Sequence, residues 1–268
     1  MPFAGPIQIT VLGSGTSVGV PTIGCDCRVC RSPDPRDKRL RPSILVSFDG
    51  RHVLIDTSPD FRAQALQAGL RTLDAVLYTH AHADHILGLD DLRPFNYGRQ
   101  DRLPIYARPD ALATIQRIFR YVFEQTNHCD GIPRLEAFPL EDGGVELFGL
   151  HFLPVPILHG ARAIIGYRFG RAAYLTDHSE IPEASLALLQ NLDVLFLDAL
   201  RHTPHPTHST VERSLRWVER LRPARAFFTH ICHDLAHQET NQSLPPHVKL
   251  AYDGLKIVIP GGVVEGAV

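Results

Sequence analysis

The chain lacks the features that would place it outside the ordinary globular class. No apolar stretch in its 268 residues approaches the about 20 residues that a bilayer-spanning helix needs, which argues against a membrane partner. The opening Met1-Pro2-Phe3-Ala4-Gly5-Pro6 has neither the basic segment nor the apolar core of a secretory leader, so a cytoplasmic location is expected. Only three of its 27 basic residues are lysine and the formal net charge is −2. With no basic stripe to track a phosphate backbone, long nucleic acid is not the expected partner. Cysteine is scarce: there are five, an odd number, and three crowd into Cys25-x-Cys27-x-x-Cys30. That suits reduced thiols or metal thiolates better than a secreted disulfide framework. Without a low-complexity linker or a repeat of about 20–50 residues, one domain is expected over 1–268, with pseudo-halves of about 1–144 and 145–268.

What the chain does have is an alternation of short apolar strands with helical stretches. Strands are expected at 7–12, 43–48, 52–55, 75–79, 104–106, 145–148, 151–155, 163–169, 172–176, 194–197, 226–229 and 256–259. Helices are expected near 60–68, 110–123, 182–190 and 209–221. Two sheets with helices outside would bury all of these, an α/β layer structure. Ser209-Thr210-Val211-Glu212 reads as a capping box, with the serine bonding forward into the helix.

Thr79-His80-Ala81-His82-Ala83-Asp84-His85 directly follows the apolar run Ala75-Val76-Leu77-Tyr78. Three imidazoles and a carboxylate in so short a span are the ligand set that Zn²⁺, Mn²⁺ or Fe²⁺ prefer. His80 and His82, two apart, point the same way from an extended segment, while Asp84 and His85 fall where the chain turns into a helix. That spacing suits two metals. The plainer alternative is a solvated, His-rich loop. Polar residues also stand at the carboxyl ends of several expected strands: Asp56, His80, His159, Asp177, Asp198 and His230. Any one alone would be a turn residue, whereas six together predict one assembled pocket.

These residues resemble the metallo-β-lactamase fold hydrolases, whose His-x-His-x-Asp-His motif, distant His, strand-end Asp and last His are matched across essentially the whole chain. The resemblance implies an αββα four-layer fold with two β-sheets between outer helices. It implies one metal on His80, His82 and His159, a second on Asp84, His85 and His230, and Asp177 bridging both, with Asp84 also counted in the catalytic group. Gly13-Ser14-Gly15-Thr16-Ser17, then Gly19-Val20-Pro21, then Gly24-Cys25-Asp26-Cys27-Arg28-Val29-Cys30 resembles the PhnP-like branch, the cyclic phosphate phosphodiesterases. That branch supplies His233 as the fourth ligand of a structural zinc on Cys25, Cys27 and Cys30. Cys232 reads as a small buried side chain, and Cys129 carries no chemistry.

The sequence departs from the branch at His178, which follows the expected bridging Asp and is either a supporting group behind the ligands or a surface imidazole. The loop Arg201-His202-Thr203-Pro204-His205-Pro206-Thr207-His208 offers three histidines where one proton donor would serve. Both His205 and His208 align with the family's donor, and His202 is the weakest candidate.

The expected activity is hydrolysis of a small cyclic or nucleotide-like phosphodiester by a hydroxide held between two divalent metals, Mn²⁺ or Zn²⁺ with Fe²⁺ also open. A homodimer is left open. The alternatives are RNase Z-like RNA 3′ processing, lactone or thioester hydrolysis, and a non-hydrolytic PqqB-like role in cofactor biosynthesis or binding.

Overall fold

The computed structural model describes residues 5–124 and 131–261, so Cys129 falls outside the described residues. The first half contributes β1 (Ile7–Gly13), β2 (Ser43–Phe48), β3 (Arg51–Ile55), β4 (Ala75–Leu77), β5 (Leu103–Ala107) and β6 (Leu135–Pro139). Successive strand residues face opposite sides, and both sides of this sheet are apolar. Ile9, Ile44, Val46, Val53, Ile55 and Leu77 enter one core, while Leu45, Leu54, Val76 and Ile105 enter another. Such a sheet must be covered twice. The outer cover comes from α1 (Phe61–Ala68), α2 (Ala83–Ile86), α3 (Pro109–Ile118) and α4 (Arg120–Phe123), through Phe61, Ile86, Ile115 and Val122.

The inner cover is a second sheet. It is built from β7 (Val145–Leu147), β8 (Leu150–His159), β9 (Arg162–Phe169), β10 (Ala172–Leu175), β11 (Val194–Asp198), β12 (Arg225–Thr229) and β13 (Val248–Leu250). Phe152, Tyr167, Tyr174 and Phe196 meet the inner residues of the first sheet. On its other face Leu175, Leu195, Leu197 and Phe228 pack against α5 (Val211–Leu221), with Leu244 behind α6 (His237–Ser243). Finally β14 (Lys256–Ile259) returns to pair antiparallel with β1. The layers run α, β, β, α, as expected. Among the described residues no helix is long and apolar enough to cross a membrane.

Strand direction is what positions the site. β10, β11 and β12 run parallel, and β8 reaches β10 through two antiparallel pairings, so all four point the same way. β3 and β4 are parallel in the other sheet. The Tyr167 hydroxyl donates to the Tyr78 carbonyl at 2.8 Å, which ties the two sheets together just past the end of β4.

Several expected boundaries shift, each for a local reason. β4 stops at Leu77 because the Thr79 N–H donates to the Asp56 carboxylate at 2.8 Å, not to a neighbouring strand. The helix expected over 110–123 breaks at Phe119, whose backbone (φ −102°, ψ 40°) leaves the helical region. Glu183–Leu189 forms a 3₁₀ helix where an α-helix was expected. The cap of α5 is Thr210, whose side chain accepts from the Arg213 N–H at 3.1 Å. Ser209 is instead buried, and its hydroxyl accepts from Ser214 at 2.8 Å.

Two glycines separate close approach from backbone strain. A Cβ on Gly13 would stand 1.9 Å from the Arg41 carbonyl oxygen, whereas at Gly50 (φ +70°) it would meet nothing within 4 Å. Gly13→Ala is expected to cost about 3 kcal/mol or more through overpacking against backbone, and Gly50→Ala only about 1–2 kcal/mol of left-handed strain. Denaturant titration of both variants checks the order, and equal losses would refute it.

Candidate metal centre

Six buried polar groups stand at the carboxyl ends of the strands just described. His159 and Asp198 are the last residues of β8 and β11, Asp56 and His230 follow β3 and β12 directly, and Asp177 and His80 follow β10 and β4 after short exits. Asp56, Asp177 and His230 share a left-handed backbone, with φ of 67°, 60° and 57°. Aspartate and histidine are both enriched among the uncommon non-glycine residues that adopt this region. Strain of order 1–3 kcal/mol at such positions persists only where the surroundings over-determine the geometry.

The donors gather around Asp177. Ring or carboxylate atoms of Asp84, His85, Asp177 and His230 lie within 4.8 Å of one another, as do those of His80, His82 and Asp177, and those of His159, Asp177 and His208. Asp177 belongs to all three sets. Its Oδ1 is 3.2 Å from His85 Nε2 and its Oδ2 is 3.4 Å from His230 Nε2, while His80 Nε2 and His82 Nδ1 converge to 3.0 Å. His159 was expected with His80 and His82; its ring lies 5.0 Å from that of His82, but the donor set that contains it is with Asp177 and His208.

The chemistry of these donors fits a cation. Asp84 Oδ2, His85 Nε2 and both ring nitrogens of His230 are buried without a hydrogen-bond partner, an arrangement natural proteins seldom leave uncompensated. Imidazole nitrogens and carboxylate oxygens aimed at shared points are the ligands of first-row divalent metals.

A second ring of carboxylates orients the first. Asp56 accepts from the Thr79 N–H, the Thr79 hydroxyl and His85 Nδ1, each at 2.8 Å, which turns His85 Nε2 toward Asp177. Asp198 Oδ2 lies 2.7 Å from His208 Nδ1 and 3.6 Å from His230 Nδ1. His159 Nδ1 is held by the Thr207 carbonyl at 2.8 Å. Asp56 and Asp198 were visible in the sequence as strand-end residues, but no short motif announces what they orient. His178 is buried, with Nδ1 on the Leu175 carbonyl at 3.1 Å, so the surface reading of this residue is wrong. His202 is exposed and paired with Glu212 at 2.7 Å, outside every donor set. His205 is half-buried, its Nδ1 3.2 Å from the Thr207 hydroxyl.

Electrostatics divide the imidazoles. Burial pushes His230 down, but the Asp177 carboxylate and the contacts with Asp84 and Asp198 outweigh it and raise its pKa to about 9. Burial likewise opposes protonation of His85, yet Asp177, Asp84 and Asp56 raise its pKa well above the usual value. For His80 burial wins and holds it well below. His208 falls to about 4 through burial and the neighbouring His230, and burial lifts Asp198 to about 7.

The second cluster is separate. Cys25, Cys27 and Cys30 Sγ lie 3.2, 3.7 and 3.4 Å from His233 Nδ1. A tetrahedral zinc with Zn–S of about 2.3 Å and Zn–N of about 2.0–2.1 Å would set that edge near 3.6 Å. Cys232 is excluded from the cluster: it is buried, and its thiol is pushed up to about 11 by that burial.

A family model described as the β-lactamase superfamily domain matches residues 51–231, which carry every donor of the Asp177 centre. The chain belongs to the β-lactamase superfamily. A crystal structure described as a new diphosphatase from the PhnP family is 53% identical, with a TM-score of 0.91, and the alignment covers 96% of this chain and 98% of that one. A Porphyromonas gingivalis protein named octanoyltransferase is 42% identical over 257 residues, 94% of this chain but 52% of its own length. The chain thus spans about half the length of the curated relatives it matches. Zinc-bound PqqB from Methylobacterium extorquens, 21% identical with a TM-score of 0.75 over 93% of this chain and 99% of that one, shares the fold.

Two predictions follow from the geometry of this β-lactamase-superfamily site. His230 and His85 have folded pKa values above the ordinary 6.5. Their contribution to the metal-free protein is therefore complete below about pH 6.5 and is lost as pH rises toward about 9. The unfolding midpoint in chelator should fall over that window, and divalent metal should remove the decline by taking the place of the protons. A flat metal-free profile between those values would refute this.

Cys27→Ser should lower zinc content and cost about 2–5 kcal/mol, less than the about 10 kcal/mol seen where zinc is the whole core, because this chain has its own. Elemental analysis with denaturant unfolding checks it, and a zinc-replete variant as stable as wild type would count against the site.

Proposed function

We propose that this chain is a metal-dependent hydrolase of small phosphoryl substrates, acting on a cyclic or nucleotide-like phosphodiester. One observation carries the reading: His208 has its Nδ1 fixed by Asp198 at 2.7 Å while a ring nitrogen stands within 4.8 Å of donors on His159 and Asp177. An imidazole oriented by a carboxylate beside a set of metal donors is the arrangement of a proton donor to a departing oxygen.

Three donor groups share Asp177: His80 with His82, His159 with His208, and Asp84 with His85 and His230. In the proposed reading His80, His82 and His159 would hold one ion and Asp84, His85 and His230 the other, with Asp177 between them. Four carboxylates, Asp56, Asp84, Asp177 and Asp198, are buried in or directly behind these sets, which favours cations there. When bound, such ions supply Lewis-acid neutralisation of a phosphoryl group and an acidified water. Mn²⁺, Zn²⁺ and Fe²⁺ all suit the donors. Cys25, Cys27, Cys30 and His233 would hold a structural zinc.

The residues themselves do the rest. Asp56 and Asp198 lock His85 and His208 in one tautomer and orientation. With Nδ1 turned to Asp198, Nε2 is the atom at which His208 would take up a proton and pass it to the departing oxygen, and the same ring stacks on His230 with centroids 4.5 Å apart, which keeps it beside the centre. His205 makes no comparable carboxylate contact, so His208 is the preferred donor of the two.

A second reading, cleavage of a phosphoanhydride, is favoured by the PhnP-family diphosphatase at 53% identity. Octanoyl transfer is named for a protein twice as long as the match, and the donors gathered here suit water activation better than an acyl-carrying thiolate. RNA 3′ processing is disfavoured by the net charge of −2. Lactone hydrolysis and a PqqB-like binding role remain outcomes of the substrate screen. The proposed setting is cytoplasmic, with a small phosphodiester as partner.

His208→Ala should lower kcat about 10²–10⁴-fold on a diester with an alkoxide leaving group, and much less with p-nitrophenoxide, which departs without a proton. On a phosphoanhydride the loss should also be small. His205→Ala should stay within about threefold on the alkoxide diester. Steady-state rates on cyclic ribose phosphates, 2′,3′-cyclic nucleotides, diphosphates, pre-tRNA and lactones test the assignment. Wild-type rates in His208→Ala on the alkoxide diester would end it, and turnover of none of the phosphoryl substrates would end the hydrolase reading.

A further inference from the structure

Arg162, in contact with His82 of the centre, is a charged group that the proposed chemistry does not use. The register of the β8–β9 hairpin pairs it directly with His159 across a two-residue turn. That turn is seated on both sides: the Gly160 N–H donates to Ser179 Oγ at 2.9 Å, and a Cβ at Gly160 (φ +61°) would come within 2.9 Å of Thr207. Arg162 is thereby fixed at the rim, between the His208 loop and His82.

Its side chain is exposed and, among the described residues, forms no ion pair with a carboxylate. Instead Nη1 lies 3.3 Å from His82 Nε2. Arg162 also lines a recess with His80, Arg108 and Thr114. Asp110, on the same recess, is already paired with Arg108 at 3.3 Å.

The contact with His82 is incompatible with a loaded site. His82 Nδ1 is the nitrogen that converges with His80 Nε2, at 3.0 Å. If Nδ1 gives its lone pair to a metal, the ring hydrogen must sit on Nε2. Nε2 then becomes a donor, and the guanidinium can only donate. Two donors face each other at the mouth, and both require an acceptor. An anionic oxygen placed between them satisfies both, through charge-assisted bonds.

We propose that Arg162 and the outward N–H of His82 form a subsite for an anionic group of the substrate that is not itself cleaved, a phosphate or a carboxylate. The position argues for a pendant group. Arg162 lies on the far side of the His82 ring from the nitrogen facing His80, outside the gathered donors where the reacting group would sit. The subsite rests on the phosphohydrolase reading and narrows it, since a diester without a second anion would leave the pair unsatisfied.

The test uses metal-loaded full-length protein, wild type and Arg162→Ala, with two readouts. The first is selectivity between p-nitrophenyl phosphodiesters whose second arm ends in phosphate, carboxylate or hydroxyl. Wild type should favour an anionic arm by about tenfold or more in kcat/KM, the worth of one charge-assisted hydrogen bond. In Arg162→Ala that ratio should collapse toward one, chiefly through KM, and Arg162→Lys should restore part of it. The phosphate and carboxylate arms show which anion the subsite takes.

The second readout needs no turnover. Calorimetric titration with methylenediphosphonate, which cannot be cleaved, should weaken about tenfold more in the variant than titration with inorganic phosphate does. An unchanged selectivity ratio, an equal loss for both ligands, or a fall in metal content of Arg162→Ala would each overturn the subsite, the last by showing that Arg162 only supports His82. If no diester is turned over by wild type, the phosphohydrolase reading fails, and the diphosphonate titration still decides the subsite.

Discussion

A carboxylate with almost no contact with water sets the terms for everything around it. Asp177 is 2% exposed, and an unpaired charge at that depth would cost several kcal/mol. Three imidazoles answer it directly: His85 at 3.2 Å, His230 at 3.4 Å and His80 at 3.9 Å. Each of these must in turn be held, because a free imidazole would rotate away or neutralise. Asp56 therefore fixes His85, Asp198 stands behind His230, and Thr79 Oγ1, at 3.0 Å, contacts His80 Nδ1. Without metal, Asp177 and its neighbouring carboxylates raise the pKa of His230 and His85, while burial lowers that of His80. The network stays short of acceptable partners for Asp84 Oδ2 and the His230 nitrogens, and that deficit is the structural argument for a cation.

The fold makes this concentration affordable through strand direction. Because β8, β10, β11 and β12 share one orientation, their carboxyl ends can place four polar groups side by side without any of them crossing the apolar core. Apolar side chains fill the space between the two sheets and beneath the helices on either side. The polar load is confined to one rim, where loops can reach it. Left-handed backbone at Asp56, Asp177 and His230 belongs to this arrangement: an extended residue there would continue its strand, and the ligand would not be presented at the strand end.

Much of this was legible in the sequence because it depends on short-range pattern. Period-two alternation in Ile44–Leu45–Val46 or Val53–Leu54–Ile55 shows a strand with two apolar faces, and His80 to His85 carries its ligands within a single turn. What escaped was of three kinds. β6 and β13 lie at sheet edges, where a strand of a few residues need not alternate. α6, His-Gln-Glu-Thr-Asn-Gln-Ser, has no apolar stripe and is held by polar contacts, the His237 N–H donating to Asp37 and Asn241 accepting from the Leu250 N–H. Asp56 and Asp198 look like turn residues until the fold sets them against His85 and His208. Ser209 was read as a cap from the local Ser-x-x-Glu spacing, but the buried Ser214 hydroxyl claims it and Thr210 takes the role. Tertiary hydrogen bonding overrode a local rule.

The thiolate cluster answers a different problem. Between Gly13 and Ser43 the chain runs without a strand, far longer than the about 12–15 residues beyond which irregular connections become uncommon. Its own apolar contacts reduce to Val20, Val29 and Cys30. A segment with so small a core needs another means of order, and it is fastened to the loop that follows β12. Ile231 exchanges backbone bonds with Ser14 and Thr16 at 2.9 and 3.1 Å, and the buried Arg39 donates to the Cys232 and Leu235 carbonyls at 2.8 and 2.6 Å. His233 then closes on the three sulfurs. Within four residues the chain passes from a ligand of the Asp177 centre, through a clamped backbone, to a ligand of the cysteine cluster. Order in the long loop and the placement of His230 are thus one constraint, which gives a chain with an ample core of its own a reason to keep three thiols and a histidine together.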